Sequence, residues 1–273
     1  MTSASMELRH DVGRAFDSQA TEYDEVFTRS TIGRAQRNAV WERAASLFAR
    51  GSHILELNCG TGEDALFLAR QGISVFGCDA SEKMISVANR RRATEGSPLP
   101  VRFEVLPTEH IGDARIFGPF DGVLSNFSGL NCVADLGAIA QHLAAMVEPG
   151  GRLLVCLSSR VCLWEIAWFL VHGKGRRAFR RFNGRTTASL GKIAVNVRYP
   201  TVRALRKLLS PSFILRSWSG IGITVPPSYL EHMARCYPKA VERLGKVDAA
   251  ISDWPIFRAL GDHTLLSFER VIS

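Results

Sequence analysis

"ILELNCGTGEDA", residues 54–65, runs three apolar side chains into a loop with two glycines, and acids bracket that loop at Glu56, Glu63 and Asp64. A glycine-rich turn between a strand and a helix sets backbone N–H groups and the positive end of a helix against a ligand. Phosphates avoid carboxylates. The stretch therefore poses a choice between an anionic ligand and a cationic one, and the neighbouring sequence must supply the fold that makes such a turn useful.

Strand and helix patterns alternate on both sides of it. "HILEL" (53–57) reads as a strand, "GEDALFLARQ" as a helix closed by Gly72, and "SVFGCD" (74–79) as a second strand. "SEKMISVANRRRA" follows as a helix with Ser81 as its N-cap. "VRFEVL" (101–106), "FDGVLSN" (120–126), a helix through "ADLGAIAQHLAAMV" and "GRLLVCLS" (151–158) behind an "EPGG" turn continue the series. Before the loop, "AVWERAASLFA" (39–49) has helical spacing and ends at Gly51. Such alternation predicts an α/β fold, a parallel sheet covered on both faces and wound right-handed. Ligands of these sheets bind beyond the C-terminal strand ends, where the opening loop lies.

Beyond residue 159 the rhythm changes. An aromatic helix (161–172), the run "HGKGRRAFRRFNGRT", a hairpin over "ASLGKIAVNVRYP" and a helix "VRALRKLLS" are expected, followed by a strand "FILRSWSG" (213–220). Helical segments around "SYLEHMARC" and "KAVERLGKVDAAI" lead to a last strand "HTLLSFERV" (263–271). The two late strands are expected to complete the sheet and the remainder to cap its ligand end.

Composition bounds the function. With 46% hydrophobic residues in 273, the chain can fill a sizeable core. The net charge of +8 is unevenly spread: residues 1–159 hold 15 Lys/Arg against 19 Asp/Glu, and residues 160–273 hold 19 against 7. The C-terminal part thus suits an acidic substrate, a lipid surface or a nucleic acid, or else forms a solvated basic face. None of the six cysteines forms a Cys-x-x-Cys pair, which predicts buried reduced thiols in a reducing compartment. The start has no apolar core for a signal peptide, and the longest apolar stretch, 161–171, is too short to span a bilayer. A cytoplasmic protein is expected.

Two ligands compete for the loop. Gly60-Thr61-Gly62-Glu63-Asp64-Ala65 fits the dinucleotide pattern G-x-G-x-x-A, and Asp79 at the end of the second strand is placed to hold a ribose, so an NAD(P)-dependent oxidoreductase is a rival. A diphosphate on this turn would lie near Glu56, Glu63 and Asp64, at a cost of order kilocalories even at an effective dielectric near 20. S-adenosylmethionine carries no phosphate; its ammonium and sulfonium favour a nearby carboxylate.

"ILELNCGTG" followed by "VFGCDASEKM" resembles the first two motifs of the class I S-adenosylmethionine-dependent methyltransferases, of the small-molecule kind. "FDGVLSNFSGLNCV" and "EPGGRLLV" stand where that family has its fourth strand and the turn into its fifth. The resemblance covers about residues 12–159. It implies a Rossmann-like, doubly wound, mainly parallel seven-stranded sheet with an antiparallel last strand. It also implies a helical lead-in over the cofactor (1–50), a cofactor-binding core (51–159), and an acceptor cap with the last two strands (160–273). The cofactor would be S-adenosylmethionine, leaving S-adenosylhomocysteine, with no metal. By resemblance Glu56 sits under the methionine ammonium, while Asn58, Cys59, Gly60, Thr61 and Gly62 wrap the methionine and ribose. Asp79 takes the ribose hydroxyls, and Ala80 and Met84 pack on adenine. Thr108 and Glu109 meet the adenine edge, Asn126 and Phe127 line the methionine side, Tyr23 folds over the cofactor, and Arg37 is a candidate for the carboxylate. Asn58 stands where the family has glycine; asparagine tolerates the left-handed backbone such a turn needs.

Methyl transfer from a sulfonium is an in-line displacement in which positioning can supply much of the catalysis. If an acceptor needs a general base, His263 is the best-placed histidine, because it opens the last strand near the cap. The fourth strand ends in Ser125-Asn126-Phe127-Ser128, not the Asn/Asp-Pro-Pro-Tyr of amino-methylating nucleic-acid enzymes, so a small or medium acceptor is favoured over nucleic acid. Trp164, Trp168 and Tyr229 are expected to form an apolar wall with Arg180 and Arg181 on a basic rim, suiting an amphipathic, anionic or lipid-like acceptor, with peripheral membrane contact as one consequence. A nucleic-acid methyltransferase using the basic 160–216 segment remains a second alternative.

Overall fold

The computed structural model describes residues 13–190 and 193–272; the start of the lead-in and the tip of the hairpin lie outside the described residues. Among the described residues nine strands are formed: β1 (His53–Leu57), β2 (Ser74–Asp79), β3 (Val101–Val105), β4 (Phe120–Ser125), β5 (Val147–Ser158), β6 (Arg185–Leu190), β7 (Ile193–Arg198), β8 (Phe213–Ile221) and β9 (His263–Arg270). Seven build one sheet in the order β3-β2-β1-β4-β5-β9-β8. The first five run parallel, and β9 is antiparallel to both β5 and β8. β6 and β7 pair separately as an antiparallel ribbon. Because β9 runs backwards, its first residue, His263, lies opposite Ser158 at the C-terminal end of β5. The last strand therefore begins at the end of the sheet where the parallel strands finish.

Period-two alternation divides the side chains between the two faces. Ile54, Val75, Leu124, Leu154 and Leu265 pack on one face, with Val40, Leu66 and Ala88 from α1 (Thr31–Leu47), α2 (Glu63–Arg70) and α3 (Glu82–Ala93). Leu55, Leu57, Phe76, Val123, Leu153 and Leu266 pack on the other, against α4 (Leu136–Met146). Ile54, Leu55 and Leu57 are fully buried, each worth about 1.5–3 kcal/mol of hydrophobic stabilisation. Glu56 shares the Ile54 face by alternation, so the strand carries a carboxylate into the core.

The cap has its own core. From α5 (Leu163–Val171), Trp164 and Trp168 pack against Ile32, Val225, Leu230 and Val241, joining the cap to the N-terminal helix. Glu231 accepts from the Thr31 and Ile32 N–H groups at 2.7 and 3.0 Å, capping α1 with a charge that suits its dipole. The remaining long helices are α6 (Val202–Leu209) and α7 (Pro238–Ile251).

Two boundaries differ from the sequence reading. α1 begins at Thr31, eight residues before the expected 39, with Ser30 accepting from the Gly33 N–H at 2.9 Å as N-cap. Its first two turns bury Gln36 and Arg37, polar residues that mask the helical period. β5 begins at Val147 and includes the "EPGG" segment, because Val147 pairs with Phe120 across a register shift. All six cysteines are free. Burial pushes the Cys156 and Cys162 thiols up to about 12, which keeps them protonated and unreactive.

Candidate active site

After Leu57 the chain turns at once into α2, and Asn58 (φ 55°), Gly60 (φ 53°) and Gly62 (φ 76°) all take left-handed backbone. Asparagine is among the few side chains that do this at small cost. At Gly62 a Cβ would stand 2.6 Å from the Phe103 ring, whereas at Gly60 it would meet nothing within 4 Å. Gly60 thus borders open space, where a ligand can reach the backbone.

Two carboxylates face this turn from adjacent strand ends. Asp79 accepts the Gly60 N–H on one oxygen and the Ser81 N–H on the other, both at 2.9 Å. Burial raises its pKa against the pull of those donors. A carboxylate has about four acceptor sites, so Asp79 keeps capacity for hydroxyl donors. Glu56 is 1% exposed, and its Oε2 has no hydrogen-bond partner. Burial drives its pKa well above the ordinary carboxylate range; Asp64 adds to the rise and Arg37 opposes it. A cation delivered to Glu56 would offset that cost.

Glu63 and Asp64 are finished differently. Arg91 bonds Glu63 at 2.5 Å, and Arg37 bonds Asp64 at 2.6 Å. Asp64 also accepts from Trp41 Nε1 at 2.6 Å and Asn126 Nδ2 at 3.0 Å, so it ties α1, α2 and β4 together. Of the three acids expected to repel a phosphate, two are neutralised by arginines and one, Glu56, keeps an unmatched carboxyl. Asp24 links the lead-in to the turn, accepting from the Thr61 hydroxyl at 2.8 Å and pairing with Arg91.

The other residues expected to meet the cofactor differ in their surroundings. Asn58 Nδ2 donates to the buried Thr108 hydroxyl at 2.9 Å, leaving its Oδ1 unpartnered. Glu109 is partly buried beside Cys132, whose pKa burial, with a contribution from Glu109, lifts to about 11. Burial also lifts the Cys59 thiol, so Cys59 packs and does not react. Met84 is 2% exposed, and the backbone of Gly13 packs closely on Ala80. Burial raises the Tyr23 pKa; Arg37 opposes this, while Asp64, Asp79 and Asp24 add to it, and the Tyr23 ring lies 5.8 Å from Phe27. Phe127, in left-handed backbone, turns its ring edge-on to Phe27 at 4.7 Å and lies under Arg37 at 4.9 Å. Arg37 and Asn126 thus spend their polar atoms largely inside the protein.

The cap residues divide. His263 is buried, edge-on to Phe127 at 5.5 Å, with Nδ1 3.6 Å from Asp262 Oδ2 and no hydrogen-bond partner on that nitrogen. Burial lowers its pKa below the usual histidine value although Asp262 pulls upward, so the imidazole is neutral near pH 7. Burial works to raise the Asp262 pKa, and His263 and Arg181 outweigh it. Arg181 bonds Glu165 at 2.7 Å, Asp262 at 2.9 Å and the Ser159 and Asp262 carbonyls. Trp164 donates to the Thr224 carbonyl at 2.9 Å. Arg181, Trp164 and Trp168 are therefore built into the cap. Arg180 bonds Glu165 through two nitrogens yet remains partly exposed, over the Phe169 ring at 5.9 Å. Phe169 in turn stacks on Tyr229 at 6.1 Å.

Sequence reasoning missed Asp64 as a hub, the Asp24–Arg91–Glu63 clasp and the Glu165–Arg181–Asp262 network. Only Asp262, adjacent to His263, left a signal that could have been read. Among the described residues, no group of three or more His, Cys, Asp or Glu could hold a metal ion, and no helix is long and apolar enough to cross a membrane.

Residues 54–151 match the family model described as "Methyltransferase domain". The demethylmenaquinone methyltransferase of Beutenbergia cavernae is 33% identical over 155 residues, covering 54% of this chain and 57% of that protein. The chain thus matches little more than half the length of this curated relative. A crystal structure of an S-adenosylmethionine-dependent methyltransferase from Mesorhizobium loti superposes with a TM-score of 0.56 at 18% identity, over 85% of this chain and 98% of that one. The [4+2]-cyclase SpnF superposes with a TM-score of 0.64 at 16% identity, over 97% and 96%.

Proposed function

We propose that this chain, whose residues 54–151 are a methyltransferase domain of the class I S-adenosylmethionine-dependent family, moves a methyl group from that donor to a small or medium lipid-like acceptor with anionic character. The observation that carries the reading is Glu56, a fully buried carboxyl with a free oxygen beside a turn whose Gly60 borders open space. A diphosphate would meet that carboxyl as a like charge; an ammonium would match it.

In this reading Glu56 receives the ammonium of the donor, Asp79 the ribose hydroxyls, and the Asn58–Gly62 backbone the methionine and ribose. Tyr23, Arg37, Asn126 and Phe127 shape the methionine side, Ala80 and Met84 the adenine floor, and Thr108 and Glu109 its edge. The bound donor supplies a methyl group already activated by its sulfonium. The protein's part is to align the acceptor and exclude water, work that effective molarities put at roughly 7–11 kcal/mol in favourable cases. His263, neutral and beside Phe127, takes the acceptor's proton on an imidazole nitrogen as the new bond to carbon forms. Arg181 and Asp262 position His263, with Trp164 and Trp168 fixing the helix behind them. Phe169, Tyr229 and Arg180 offer the acceptor an aromatic surface with one cation.

The name of the Beutenbergia cavernae relative supports a ring-bearing, lipid-like acceptor. The test is calorimetry with S-adenosylhomocysteine, followed by methyl transfer to reduced demethylmenaquinone analogues. Binding of NADH with indifference to S-adenosylhomocysteine would sink the proposal. His263→Gln is expected to lower kcat about 100-fold or more on an oxygen or carbon acceptor while leaving S-adenosylhomocysteine affinity unchanged.

A further inference from the structure

Residues 160–216 hold 13 Lys/Arg and one acid, Glu165, and that acid is already bound by Arg180 and Arg181. Lys174, Arg176, Arg177 and Arg185 are exposed in the same stretch, and no carboxylate lies within ion-pair distance of them among the described residues. Large apolar side chains are exposed between them. Val171 is 84% exposed, and Phe179 and Phe182, 47% each, pack edge-to-face at 5.6 Å.

Apolar side chains exposed together mark a contact surface, and this one is rimmed by unpaired cations. Phenylalanines flanked by arginines on short helical turns have the composition of a surface that enters the headgroup layer, with rings at the acyl boundary and guanidinium groups at the phosphates. We propose that the 171–185 segment of the cap docks on an anionic lipid bilayer. Arg180 joins this face to the Phe169–Tyr229 stack, so an acceptor leaving the bilayer would meet the aromatic surface first. That delivery role rests on the methyltransferase reading; the docking does not. A single-stranded nucleic acid could also use cations and exposed rings. The bilayer is favoured because Val171 adds aliphatic surface that bases do not stack on.

The test is co-sedimentation of the full chain with phosphatidylcholine vesicles, with and without phosphatidylglycerol. Binding is expected only to the anionic vesicles and should weaken with salt. Arg176→Glu/Arg177→Glu and, separately, Phe179→Ser/Phe182→Ser are each expected to lower vesicle partitioning about tenfold or more. Both should keep wild-type S-adenosylhomocysteine affinity, which shows that they remain folded. Wild-type protein that ignores anionic vesicles, variants that bind them as wild type does, or binding to a single-stranded oligonucleotide with none to vesicles would each overturn the proposal. Loss of S-adenosylhomocysteine binding in the wild type would instead sink the reading of the donor site and leave the vesicle result standing.

Discussion

Two charged clusters flank the ligand end of the sheet, and they are finished in opposite ways. In the cap, Glu165 accepts two bonds from Arg180 and two from Arg181, while Arg181 also reaches Asp262 and two carbonyls. At the β1 turn, Glu56 Oε2 and Asn58 Oδ1 have no partner. Buried polar groups that satisfy one another hold a shape; those left open await something from outside. On the proposed reading the difference separates residues that build this protein from those that would serve a ligand, although both sets are polar and buried.

The contrast predicts that the cap network fails structurally when cut. Glu165→Ala strands the buried Arg181 with Asp262 as its one remaining carboxylate and is expected to cost about 3–5 kcal/mol in a urea melt. A loss below about 1 kcal/mol would break the comparison, because the cluster would then not be holding the cap.

At the turn the main loss should instead appear in binding. Asp79→Ala is expected to weaken S-adenosylhomocysteine about 100-fold by calorimetry, with a smaller stability loss of about 1–3 kcal/mol from the freed Gly60 and Ser81 N–H groups. Unchanged donor affinity would leave Asp79 as a turn fastener alone.

Glu56 sharpens the comparison by giving stability and affinity opposite signs. Its folded pKa is raised above its unfolded value, so the folded state holds the proton more tightly. Stability is therefore unaffected below the unfolded pKa and falls as pH rises from there through the folded value. Glu56→Gln removes that loss: melting should rise relative to wild type at neutral pH and match it near pH 4. The same change should weaken S-adenosylhomocysteine about tenfold. In the wild type, donor affinity should increase with pH over the same window, because a bound ammonium favours the ionised carboxylate. A variant that melts higher and binds equally well would show Glu56 to be a core defect with no part in binding.

The same contrast governs how much the sequence disclosed. The strands 53–57, 74–79 and 120–126 were legible because they are buried on both faces and read as apolar runs, and 101–106, at the sheet edge, because buried and exposed residues alternate along it. The last strand, buried along most of its length, was legible for the same reason, whereas the 213–221 strand lies at the other edge and is half exposed. The β1 turn was legible because its geometry demands residue types: left-handed backbone at 58, 60 and 62 restricts what can stand there. The start of α1 was hidden by Gln36 and Arg37, whose burial depends on partners distant in sequence. Asp64 looked like part of an acidic loop because Arg37, Trp41 and Asn126 are brought to it only by folding. In the cap, Arg180 and Arg181 looked equivalent as neighbours in a basic run, and nothing local says that one points inward.

That pair carries the smallest expected effect and the finest test. Arg181 is buried in the network, whereas the Arg180 side chain is 43% exposed and Glu165 keeps Arg181 when Arg180 is lost. Solvent screens the outer pair, so Arg180→Ala should cost no more than about 1 kcal/mol of stability. If Arg180 presents its charge to an anionic acceptor, the variant should raise KM for that acceptor about 3–10-fold with kcat and S-adenosylhomocysteine affinity unchanged, the pattern of lost uniform binding. An unchanged KM would move the acceptor's anionic group away from Arg180, and the two clusters would then differ only in which of them is proposed to hold the donor.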